Sequence, residues 1–243
     1  GDLLSKTYLE TTLPYDTSSS AKWTNRVGFN LIKKVELIIG SYTVDRHYGL
    51  WMYIWSELTN NIDKKNILDK IVGTTSNGGT NSNGLPVNKQ QTLIIPLFFS
   101  FCKDISSALP ILAITKQDIY IKFYFESKKN CIQSGNIPTG DLTNSKLWID
   151  YIFLEKEEKL NIVQGKYEYL INTVERYQRQ LNGNGINNLS LPFVSPIKEL
   201  FWVIKRNTKN DSTDKFSDFT DGTNNMLNKA QLIINSKKVF SSG

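Results

Sequence analysis

Histidine occurs once in these 243 residues, at position 47, and cysteine only at positions 102 and 131. Neither cysteine stands at a metal-ligand spacing from the other or from His47, so a structural zinc site is excluded. A Ser or Cys nucleophile would have to recruit the single imidazole, and there is no Gly-x-Ser-x-Gly elbow to present one. His47 is therefore read as structural. Cys102 sits in an apolar run and reads as a buried thiol made in a reducing compartment, with one disulfide to Cys131 left open. No stretch reaches the roughly 18 consecutive apolar residues of a membrane helix, and no basic-plus-apolar leader opens the sequence. The expectation is a soluble protein that is not conventionally secreted. The sequence opens at glycine and stops in mid-pattern, which suggests a piece of a longer polypeptide.

Charge is also uninformative about a ligand. Lys and Arg number 29 against 23 Asp and Glu, a net charge of +6, and the basic residues are scattered. The pairs Lys64-Lys65, Lys128-Lys129 and Lys237-Lys238 lie beside Asn and Ser and read as solvated surface, so no specific nucleic-acid binding is expected. The Gly-rich stretch 73–84 lacks the Gly-Lys-Ser/Thr ending of a phosphate loop. Glu155, Glu157, Glu158 and Glu168 fall in a lysine-rich segment and read as a solvated face, not as the paired carboxylates of a glycosidase. Asp211, Asp214, Asp218 and Asp221 lack the alternation and terminal Glu of a calcium loop. Asn188 and Asn210 each begin an N-glycosylation sequon, a pattern that arises by chance in an Asn-rich chain. No catalytic, cofactor-binding or metal-binding residue is assigned, no cofactor is expected, and the protein is read as not an enzyme.

What is abundant is aromatic and β-branched sequence at short period. Hydrophobic residues make up 40% and aromatics 12% of the chain, a balance that favours strands in a globular domain. A strand is expected over 2–12, with Leu4, Tyr8 and Leu13 available for a core face. Two more are expected within 23–39, where Val27, Phe29 and Leu31 alternate and then Val35, Leu37 and Ile39. Asp45 is a candidate N-cap for a helix whose apolar face is Trp51, Ile54, Trp55 and Leu58. A second short helix spans 62–72, and polar loops cover 73–84 and 130–144. Strands are read at 92–101, 119–125 and 147–154, with a short helical connection at 104–109. The segment 155–164 permits helix. The segment 167–177 shows period-two spacing but admits helix as well, and 189–193 and 198–206 read as strands, with Leu200, Trp202 and Ile204 on one face of the last. Residues 207–225, rich in Asn, Asp, Ser and Thr, read as a boundary, and 230–234 begins a strand whose partners are missing. Trp51, Trp55, Phe99, Phe123, Phe125 and Trp202 are the expected core. The fold class is all-β, a jelly-roll sandwich with short helices in loops.

Three separated blocks carry a family resemblance. They are Val44-Asp45-Arg46-His47-Tyr48-Gly49-Leu50-Trp51; then Leu97-Phe98-Phe99-Ser100-Phe101-Cys102-Lys103-Asp104, running on to Ala108-Leu109-Pro110; then Trp148-Ile149-Asp150-Tyr151-Ile152-Phe153-Leu154, with Pro196-Ile197-Lys198-Glu199-Leu200-Phe201-Trp202-Val203 downstream. Their order resembles the major capsid proteins of nucleocytoplasmic large DNA viruses, the iridovirus, phycodnavirus and mimivirus-like group. The resemblance implies two jelly rolls in one polypeptide. Residues 1–206 would be the first, lacking its opening strand, and 207–243 the linker and start of the second. It favours a strand at 168–171. It further implies three copies in a pseudo-hexagonal capsomer, with partners among neighbouring capsomers, minor capsid proteins and an internal viral membrane. The place of work would be the virion, after assembly in the host cytoplasm. The alternatives are a carbohydrate-binding or glycan-processing sandwich, and a minor capsid or scaffold protein of the same fold.

Overall fold

The long strand β1 (Leu3–Leu13) is the central strand of one of two three-stranded sheets among the described residues. In this computed structural model, residues 1–75, 83–165, 168–181, 185–205, 216–220 and 226–242 are described. Two compact units divide at Gln178/Arg179.

In the first unit the elements run β1, β2 (Lys22–Trp23), α1 (Val27–Leu31), β3 (Ile32–Ile39), β4 (Tyr42–His47), α2 (Gly49–Thr59), α3 (Ile62–Val72), β5 (Thr74–Thr75) and β6 (Asn83–Gly84). Then follow β7 (Gln91–Pro96), α4 (Ser100–Lys103), β8 (Ile119–Phe125), α5 (Lys128–Cys131), β9 (Ile132–Ser134), β10 (Thr143–Ile152) and α6 (Lys156–Gln164). One antiparallel sheet has the order β10-β1-β7 and another the order β4-β3-β8; β2 pairs with β9 and β5 with β6. This is the expected all-β architecture of antiparallel sheets with short helices between strands.

Register corrects part of the expected core. The pairing of β1 with β10 slips between Leu4 and Thr7. Because side chains alternate, one inserted residue moves the later positions to the other face. Leu4, Thr7, Leu9, Thr11 and Leu13 are therefore buried, and Tyr8 points to the opposite, half-exposed side.

Residues 27–31 form a helix and not the first of two strands. All five residues are buried, and period two over so short a run cannot be told from a fully buried helical turn. Asp45 is not a helix cap: it lies inside β4, and Tyr48 precedes α2.

The inward face of α2 is Gly49, Met52 and Ser56, whereas Trp51, Ile54 and Trp55 are half-buried and Leu58 is exposed. Glycine at 49 sets that rotation. A Cβ there would stand 1.9 Å from the carbonyl oxygen of Phe29 and 2.5 Å from that of Ile32. The first turn of α2 thus lies directly on the end of α1, turning Met52 inward.

The helix at 62–72 forms as expected. The Asn61 side chain accepts from the Lys64 amide at 3.0 Å, and Gly73 closes the helix with φ 99°. The strand expected over 92–101 stops at Pro96, where the ladder loses a donor, and α4 follows. The connection at 104–109 is a 3-10 turn, with Asp104 accepting from Ser106 N at 2.9 Å. Part of 130–144 is ordered as the end of α5 and as β9, while residues 76–82 of the Gly-rich loop lie outside the described residues.

Among the described residues no strand forms at 168–177, 189–193 or 198–205; Tyr167 and Arg206 lie outside them. In the first of these segments polar groups are satisfied one by one. The Tyr169 hydroxyl donates to Ala108 O at 2.5 Å, the Asn172 amide to Ser100 Oγ at 3.2 Å, and the Val174 amide to Asp45 Oδ1 at 3.1 Å. Donors used in this way do not build a ladder.

In the second unit, β11 (Ala230–Ile234) finds its partner in β12 (Lys237–Ser242). The turn between them puts Asn235 at φ 49° and Ser236 at φ 64°, the two left-handed residues of a tight hairpin turn. The expectation that this strand lacks a partner is corrected by that local pairing.

Candidate assembly surface

Phe99 is fully buried, and its ring lies 4.9 Å from that of His47, stacked at 28°. Of the other residues expected in the core, Trp51, Trp55 and Phe123 are half-buried, Phe125 is 41% exposed and Trp202 is 46% exposed. The core is instead built on Trp23, Phe29, Phe99, Met52, Leu93 and Ile95, all fully buried. Trp23 gives no periodic signal in the sequence because it stands in a two-residue strand.

The charged residues that could carry chemistry are dispersed. His47 Nε2 lies 2.9 Å from Asp45 Oδ2, both nearly inaccessible, but off the line of a hydrogen bond. Asp45 Oδ1 holds the amides of Arg46 and Val174. The Cys102 thiol meets Thr7 Oγ1 at 3.3 Å, and burial pushes it up to about 11. It is thus a protonated, half-buried thiol at neutral pH, not an activated nucleophile. Cys131 is likewise free and pushed up to about 12 by burial, so the open question of a disulfide resolves to two separate thiols.

Glu155 and Glu158 form the capping box that starts α6, Glu157 lies in its first turn, and Glu168 is exposed. They stabilise a helix terminus. Asp218 accepts from the amide and hydroxyl of Thr220 in a local turn, and Asp211, Asp214 and Asp221 lie outside the described residues. Among the described residues, no group of three or more His, Cys, Asp or Glu side chains is placed to hold a metal ion. Asn188 is exposed, and Asn210 lies outside the described residues. A cleft of about 30 Å³ bordered by Leu37, Asp45, Phe101 and Ile171 has room for a water molecule but not for a sugar ring.

The first unit exposes apolar surface instead. On β10 and just beyond it, Leu147 is 38%, Trp148 53%, Tyr151 44% and Phe153 75% exposed. β10 is the outer strand of its sheet, and its side chains are open on both faces. The Trp148 indole is held by its Nε1, which donates to Glu10 Oε2 at 2.7 Å. On the helices, Leu58 is 60%, Ile62 77% and Ile67 64% exposed. Clusters of this size at a sheet edge are features of assembling proteins. Sequence periodicity missed them because alternation marks which residues share a face, not whether that face is covered.

An antiparallel β-protein with buried structural ionisable groups and an exposed apolar sheet edge has surface available for assembly. Comparison with known proteins specifies the class. Residues 1–155 match the family model "Major capsid protein N-terminus". The chain belongs to that family, in accord with the resemblance read from the sequence.

It is 30% identical over 266 residues to the major capsid protein of Phaeocystis pouchetii virus, covering 93% of this chain and 51% of that protein. It is 33% identical over 206 residues to the major capsid protein of Pyramimonas orientalis virus, covering 84% and 50% respectively. The quasi-atomic model of the PBCV-1 virus capsid superposes with a TM-score of 0.57 at 26% identity, over 70% of this chain and 40% of that one. The chain thus spans about half the length of these two relatives.

Proposed function

We propose that this chain is the first jelly roll, with the opening of the second, of a shell-building capsid protein. Three copies of the complete polypeptide form a pseudo-hexagonal capsomer of an icosahedral large DNA virus. Two similar domains in each of three subunits give six similar walls, so a trimer tiles a hexagonal lattice. The first domain is placed at 1–206 and the linker and start of the second at 207–243. The chain works in the virion after assembly in the host cytoplasm. It contacts neighbouring capsomers, minor capsid proteins and the internal viral membrane, and it carries no enzymatic activity.

The observation that carries this reading is the family match over residues 1–155. The exposed apolar edge at β10 supports it, since burial in an assembly would remove Trp148 and Phe153 from water. The test is negative-stain electron microscopy of the complete polypeptide, class-averaged down its symmetry axis. Trimers of hexagonal outline are expected. Monomers or rings of another symmetry overturn the proposal.

The Trp148–Glu10 pair also supports a second reading, a carbohydrate-binding sandwich, because an exposed indole beside a carboxylate can stack and orient a sugar. Glycan-array binding that is lost in Trp148→Ala favours that reading over the capsomer.

A further inference from the structure

The outer face of the β4-β3-β8 sheet carries a continuous row of cations and tyrosines. Glu36 on β3 stands opposite Arg46 of β4 and Lys122 of β8, and Lys34 stands opposite Tyr124. Arg46 Nε reaches Glu36 Oε1 at 2.6 Å and Lys34 Nζ reaches the same oxygen at 2.9 Å. The Lys34 ammonium lies 4.0 Å and that of Lys122 5.1 Å from the Tyr124 ring centroid. Just beyond β4, the Tyr48 ring is covered by the Arg176 guanidinium at 4.6 Å. The carboxylate is almost fully covered, while the Lys34 and Arg46 side chains are 28% and 43% exposed and Lys122 is exposed.

One buried carboxylate cannot neutralise three cations, and among the described residues Lys122 forms no ion pair of its own. The row therefore presents excess positive charge on a hydrogen-bonded sheet surface. Its side chains are held in place by the rings and by Glu36, so little rotamer freedom remains to be lost on binding.

We propose that this face is a docking surface for an acidic, extended peptide segment of a protein partner. Charge complementarity selects an anion. The tyrosines decide which kind. Binding of single-stranded nucleic acid relies on open aromatic faces for base stacking. Here Tyr124 carries two ammonium groups and Tyr48 a guanidinium. Tyr120, 54% exposed, is bonded through its hydroxyl to Asp118 at 3.1 Å, whose carboxylate repels any anion and so ends the cationic row there. What remains is charge at strand spacing. Side chains on one face of an extended peptide recur every ~6.6 Å, a repeat shared by the strands beneath. The inference does not depend on the capsomer reading, since the face is complete within the first unit.

The experiment measures fluorescence anisotropy of the complete 243-residue chain against three probes: a labelled peptide of alternating Glu and Thr, a single-stranded oligonucleotide, and phosphatidylserine vesicles. Binding is expected for the peptide, weakening steeply as salt is raised through the range where the Debye length falls from ~10 Å to ~3 Å. Lys122→Gln should weaken it, and Lys34→Gln/Lys122→Gln should weaken it by about fivefold or more, the scale of surface charge contacts. Lys237→Gln, on the separate β11–β12 hairpin, should change nothing. Far-UV circular dichroism of each variant distinguishes lost binding from lost folding, and Lys122→Gln, which breaks no ion pair, keeps the test decisive. Tighter binding to oligonucleotide or vesicles than to peptide overturns the proposal, as does peptide affinity that is unchanged in the double variant.

Discussion

Arg26 and Asp69 form an ion pair at 2.6 Å, with side-chain exposures of 4% and 12%. The same guanidinium contacts Glu57, reaches Ser56 Oγ and lies 4.9 Å from the Tyr53 ring centroid, so one residue at the start of α1 holds both α2 and α3. Arg26 adopts φ 50°, a left-handed conformation that a non-glycine residue keeps only when its surroundings enforce it.

Removing Arg26 takes the paired guanidinium from the largely buried Asp69, while Glu57 keeps Lys65 at 2.6 Å. Arg26→Ala should cost about 3 to 5 kcal/mol in urea unfolding. A loss below about 1 kcal/mol would mean that the helices hold together without it.

Gly49 is the second point of dependence between α1 and α2. With a Cβ placed 1.9 Å from Phe29 O, Gly49→Ala must move the helix or its neighbour, at a cost of about 3 kcal/mol, the upper range for overpacking. Thermal unfolding of the variant should show a lower midpoint. An unchanged midpoint would show that the contact relaxes freely.

Two aromatics separate the observed core from the expected one. Phe99→Ala, at a fully buried site, should cost about 3 to 5 kcal/mol. Trp202→Ala, at a site 46% exposed, should cost under about 1 kcal/mol in the same chain. Equal losses would place Trp202 back in the core.

Glu36 gives the stability a pH dependence of definite sign. Burial pulls its carboxyl up, but hydrogen bonds from Lys34 and Arg46 outweigh that and hold it below its ordinary value of 4.5. A depressed folded-state value contributes stability that is present above 4.5 and is lost as pH falls through the lower folded value. Denaturation midpoints in the acid range should therefore fall less steeply in Glu36→Gln than in the parent chain. Parallel slopes would refute that assignment.

The thiols make a chemical prediction. With Cys102 pushed up to about 11 and Cys131 to about 12 by burial, neither is appreciably thiolate at pH 7.5. A thiol-exchange reagent should react slowly with the native chain and promptly with both cysteines in denaturant. Rapid native labelling of Cys131 would contradict its burial.

Much of this architecture was legible in the sequence, and the failures have physical causes. The alternation over 119–125 and the short helix over 62–72 rest on local pattern, and those elements form where the sequence places them. The signal failed where burial on all sides erased the period, as at Val27 to Leu31, and where a bulge changed its phase, as after Leu4. It also failed at Asp45, a residue type suited to a helix cap whose carboxylate is used instead to hold the Val174 amide. Arg26 was not singled out because its carboxylate partners stand 31 and 43 positions away.

The sequence by itself determined the β-rich class, the antiparallel alternation and the family, because these reside in short-range pattern and in motif order. Only the tertiary structure decided which aromatics are dry, which face of α2 turns inward and which cations share one sheet surface. Those outcomes depend on contacts between residues distant in the chain, and no local period encodes them.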